Sequence, residues 1–168
     1  MAGMVSSLID ILNEQTLRFD ELLGLSLEEK DAIIKNDLET LQKLVGLKNI
    51  VISQNNKLEK KRTSLVKDIA QVLATSEEGL DIDTLSHMLE GKPEQKELVE
   101  AGTKLREVAG RLKEANDMNK ELLESALGFV EYSLNALRSI ISPEPDMVPT
   151  AKSARELGIA AGTVDIRQ

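Results

Sequence analysis

The chain has 168 residues, 30% of them charged, with a net charge of −8 and aromatic side chains at only 2% of positions. That length suffices for one domain with its own core, but the core must be aliphatic; the many charges and sparse Gly and Pro before Pro143 all but exclude an all-β fold in favour of long helices. The absence of Cys excludes disulfides, thiolate metal sites and a Cys nucleophile, and the acidic balance argues against nucleic acid, whose phosphates require a clustered positive surface.

Over 5–35 the apolar residues Val5, Leu8, Leu12, Phe19, Leu22, Leu23, Ile33 and Ile34 fall mainly at three- and four-residue spacings, which predicts an amphipathic first helix. Asn36 and Asp37 interrupt it. Asp37 followed by Glu39 reads as an N-cap with an acidic first turn, favourable at the positive end of the next helix dipole. A second helix is expected over 38–74, where Leu44, Val51, Leu58, Leu65 and Val72 form a heptad seam flanked by Leu41, Val45, Ile52, Val66, Ile69 and Leu73. Lys48, Asn55 and Arg62 recur beside it with the same period; polar groups there weaken a seam but fix its register when they find partners. The basic run from Lys57 to Lys67 contains Leu58, Leu65 and Val66, so it reads as a solvated helix face with an apolar stripe. The short connection between two long periodic segments implies an antiparallel hairpin.

Between Thr75 and Pro93 the pattern breaks, and Ile82, Leu85, Met88 and Leu89 make the apolar face of a short connecting helix over 81–90. Pro93 suits a first helical position, with Glu94 and Glu97 supplying an acidic first turn. A third long helix then runs over 94–141, with Leu98, Leu105, Leu112, Asn119, Ala126, Ser133 and Ile140 at heptad spacing. Gly102, Ala109, Asn116, Leu123, Val130 and Leu137 each follow four residues later, the small ones allowing a neighbour to approach closely. At about 70 Å against about 55 Å for the second, this helix must overhang the hairpin or bend.

Pro143, Pro145 and Pro149 close the helical region, leaving 142–168 as an expected mobile tail. Ala154, Leu157, Ala161 and Val164 share a helical face, so a helix over 150–162 would form where a partner supplies the other half of a core. The fold expected is all-α: an elongated antiparallel bundle of three long helices, or coiled coil, with a short connecting helix and a flexible tail. With no apolar run near the ~20 residues that span a bilayer and no leader-like N-terminus, the expectation is a cytoplasmic protein that does not insert into membranes.

Catalytic chemistry finds little support. The single histidine, His87, has no Cys or second His to join, and adjacent carboxylates such as Glu28-Glu29 and Glu77-Glu78 point about 100° apart on a helix. We therefore expect no enzyme, no cofactor and no metal site. Asn116 and Asn119 are sharper: three residues apart, they share a face and occupy positions of the apolar repeat, so they should be at least half-buried. Either they set register by bonding a facing polar residue such as Gln54 or Asn55, or they form a fixed contact for a partner helix.

The periodic first helix, the break "IIKNDLETLQKL", the "LEKKR" ending at Arg62 and above all "LKEANDMNKELLESALGFVEYSL" together resemble the FlgN family of flagellar type III export chaperones. The last string matches that family's two Asn three residues apart, followed by a Leu-Leu pair, here Leu122-Leu123. The resemblance covers 5–141. It implies a chaperone that holds the hook-associated junction proteins FlgK and FlgL by their terminal helices before export, with the export apparatus as a further partner. The residues expected to bind such a client are Leu122 and Leu123, with Phe129, Val130 and Leu137 at or beyond the reach of the shorter hairpin, joined by Leu157, Ala161 and Val164 from the tail. The alternative is a structural coiled-coil adaptor or soluble component of the export machinery, and an exposed seam would also allow the free protein to self-associate.

Overall fold

The computed structural model describes residues 2–76 and 80–141. Among these, every regular element is helical: α1 (Ala2–Lys35), α2 (Leu38–Val72), α3 (Ile82–Met88) and α4 (Pro93–Ile141). The chain divides into two compact units, Met1–Glu124 and Ser125–Gln168. The tail expected over 142–168, its helix-forming stretch and Leu157, Ala161 and Val164 lie outside the described residues.

The helix ends follow from local chemistry. α1 stops because Asn36 takes a left-handed conformation (φ 55°), which lets its N–H donate to Ile33 O and that of Asp37 to Ala32 O. These two bonds satisfy carbonyls that the helix end would otherwise leave bare. Asp37 then caps α2, its carboxylate accepting from the Thr40 N–H at 3.1 Å and the Thr40 hydroxyl at 2.6 Å. Asp81 caps α3 in the same way through the Thr84 N–H at 2.7 Å, and Pro93 opens α4 where a missing N–H costs nothing.

α2 ends in the same motif as α1, with Ala74 in the left-handed position (φ 52°) and Thr75 N–H donating to Ala70 O. Asn tolerates that conformation; Ala does so only against its own Cβ. Ala74→Gly is therefore expected to stabilise the chain by about 0.5–1 kcal/mol in urea unfolding, the relieved strain outweighing the extra freedom of Gly when unfolded. A loss of stability would show that the Ala74 methyl packs usefully.

In the first unit, α2 runs antiparallel to α1, and α4 runs parallel to α1. Side chains along the bundle sort into layers. At one end Val5, Leu8, Ile9 and Leu12 of α1 meet Ile69 and Ala70 of α2, Leu85 of α3, and Leu98 and Ala101 of α4. Gly102 lets α3 close on α4, since a Cβ there would stand 3.1 Å from the Ile82 side chain. Next comes a polar layer: Glu59 accepts two bonds from Arg62 and one from buried Gln15, and these hold its carboxyl below its ordinary range. A second aliphatic layer joins Leu22 and Leu23 to Val51, Val108 and Leu112. Beyond it lies a second polar layer around Ser26 and Asn119, then buried Ala32, Ile33 and Leu44. A slip of one turn would set a polar layer against an aliphatic one, so the alternation fixes the alignment.

The buried stripe of α2 departs from the strict heptad. Leu44, Val51 and Leu58 are buried and Leu65 is half-buried, but Val72 is exposed and Ile69 and Ala70 replace it. A straight α-helix drifts about 20° per seven residues, so a sequence read at period seven walks off the core within a few repeats. Val45 and Ile52 also face solvent, as do Ile34 of α1 and Met88 of α3.

Candidate functional site

Two features stand apart from ordinary helix packing. The first is the polar layer at Ser26. Glu29 on α1 and Lys48 on α2 form an ion pair of 2.7 Å with side chains only 13% and 16% exposed. Asn119 on α4 donates to Ser26 O at 2.7 Å and to Glu29 at 3.0 Å, while the Ser26 hydroxyl donates to Asn116 Oδ1 at 2.9 Å. Lys48 also reaches Asn116 Oδ1, at 3.4 Å.

Of the amide pair, Asn119 is buried as its heptad position requires, whereas Asn116 lies at the edge of the layer and is exposed. Their partners differ from those expected: they are Ser26 and Glu29 of α1, with Lys48 of α2, rather than Gln54 or Asn55. The parallel packing of α1 and α4 brings Ser26 within reach. The repeating polar positions on α2 do become half-buried, and both Lys48 and Arg62 are ion-paired.

The second feature is the apolar surface of α4. Leu122 is half-buried, while Leu123, Phe129, Val130 and Leu137 are exposed. The sequence reading left out Leu127, Leu134 and Ile141, which are exposed on the same side as Leu123, Val130 and Leu137. Each stands four residues after a member of the companion line Leu123, Val130 and Leu137, one step beyond the residues that line includes. At about 100° per residue, Leu122 and Phe129 lie some 100–120° round the helix from the centre of this stripe and extend the exposed apolar surface to one side of it, with Tyr132 on the opposite side.

Neither feature has the makings of a metal centre: no cluster of three or more His, Asp or Glu suited to a metal occurs among the described residues, and His87 is exposed. No helix among them is long and apolar enough to cross a membrane.

The FlgN protein family model matches residues 1–146. The chain belongs to the FlgN family. A solved FlgN flagella synthesis protein from Pseudomonas aeruginosa is similar in fold, with a TM-score of 0.59 and 26% sequence identity, over 71% of this chain and 88% of that one. No match was found among curated proteins. FlgN membership places the chain in flagellar assembly.

Proposed function

We propose that the protein is a cytoplasmic export chaperone that holds the hook-associated proteins FlgK and FlgL by their terminal helices until secretion, and that it catalyses no reaction. The observation that carries this reading is the apolar surface of α4, where Leu123, Phe129, Val130 and Leu137 all stand exposed on a helix of a FlgN-family chain. An amphipathic client helix kept from its assembly partner aggregates unless a complementary apolar surface covers it, and α4 offers such a surface without chemistry. Leu122 lies at the edge of that surface. Leu157, Ala161 and Val164 supply a second strip that closes over the bound helix, and the export apparatus receives the complex.

Calorimetric titration with a terminal fragment of FlgK or FlgL tests this. Phe129→Asp with Leu137→Asp is expected to weaken binding at least about tenfold, since each puts a charge where a large apolar side chain would be covered by the client. Removing 142–168 should weaken it too while leaving the helical melt unchanged. Affinity untouched by either change would move the site off α4 and favour a structural adaptor role.

A further inference from the structure

Leu123, Leu127, Val130, Leu134, Leu137 and Ile141 follow one another at alternating steps of four and three residues, and each is between 41% and 77% exposed. This is the spacing of a coiled-coil seam about three heptads long, and such a seam is complete only when a facing helix supplies holes for its knobs. We propose that in the absence of client a second copy of the chain supplies that helix, in the antiparallel direction.

The seam is its own complement when reversed. Setting Leu127 opposite Leu137 of the second copy places Val130 opposite its Leu134 and Leu123 opposite its Ile141. All six residues then have an apolar partner and none is left over. Charge selects the direction. In the antiparallel pair Glu124 and Arg138 flank the same two layers from opposite copies, so two opposite-charge contacts form, one on each side of the centre. In a parallel, in-register pair Glu131 would instead face Ala126 and Arg138 would face Ser133, so no opposite charges would meet. Glu131 meets its own counterpart at the antiparallel centre, a like-charge contact that keeps the pair weak and exchangeable.

Pairing needs no client and does not depend on what the client is. Phe129 lies off the seam, so Phe129→Asp separates the two surfaces: it should impair client capture and leave the self-pairing intact.

The full chain contains no Cys, which makes directed crosslinking clean. Leu127→Cys and Leu137→Cys variants, mixed and treated with a short bismaleimide, should crosslink to each other far more than either does alone. Equal crosslinking of each variant with itself would overturn the antiparallel arrangement. In sedimentation velocity the parent should pass from monomer to dimer as concentration rises through the micromolar range. Arg138→Glu should weaken that association several-fold, and Arg138→Glu combined with Glu124→Arg should restore it, with helical content by circular dichroism unchanged throughout. A parent that stays monomeric at every concentration, or a charge swap that fails to restore association, would overturn the proposal.

Discussion

Lys48→Met is expected to destabilise the bundle by about 3 kcal/mol, because it strands the Glu29 carboxylate with Asn119 as its remaining donor in a largely dehydrated layer. The larger part of that loss comes from the uncompensated charge, and a double-variant cycle exposes it. Replacing both Lys48 and Glu29 by Met removes the charges together, and most of the stability should return. Asn119→Leu sits between these extremes. It removes a donor from Glu29 and leaves Ser26 O without that bond, at a cost of about 1–3 kcal/mol. Urea unfolding of the four chains of the cycle measures each term, and equal stability of the parent and Lys48→Met would mean that solvent already compensates Glu29. The double variant has a second readout, since an apolar layer in place of the ion pair should permit alternative helix alignments.

The second large effect separates two residues three positions apart on α2. Ile69 is fully buried between α1 and α4, and Ile69→Ala should cost about 2–5 kcal/mol through lost transfer energy and the cavity left behind. Val72 belongs to the heptad series that begins at Leu44, yet it is 59% exposed, and Val72→Ala should change stability by less than about 0.5 kcal/mol. Against a total stability of about 5–15 kcal/mol the first change is severe and the second scarcely measurable. Similar losses at both positions would mean that the stripe follows the seven-residue repeat after all.

These two experiments also mark how far the sequence could be read. The cap at Asp37 and the opening of α4 at Pro93 were legible because their causes are local, each acting within a few residues. The helical class was equally plain from periodicity. The stripe on α2 was legible only in its first half, because a fixed repeat of seven ignores the drift of an untwisted helix. The partners of Asn119 were not legible, since Ser26 lies 93 positions away and joins it only through the parallel packing of α1 and α4. Gln15 and Ser26 were hidden for a related reason. Each is one polar residue in an apolar stripe, and nothing local tells a buried hydrogen-bonding position from a surface one. Of the candidate surface on α4, Phe129, Val130 and Leu137 were found from sequence, but the continuous line through Leu127, Leu134 and Ile141 emerged only once their exposure was known.

The layer at Lys48 and Glu29 also shapes the response of the bundle to heat. Dehydrating a charge becomes less costly as temperature rises, whereas the contribution of aliphatic contacts levels off. A core that alternates the two therefore shifts its weight on warming: the aliphatic layers dominate when cool, and the ion-paired layer gains relative importance when hot. The same charges that oppose folding most strongly in the cold become less of a burden near the melting point, which flattens the loss of cohesion on the hot side of the stability curve.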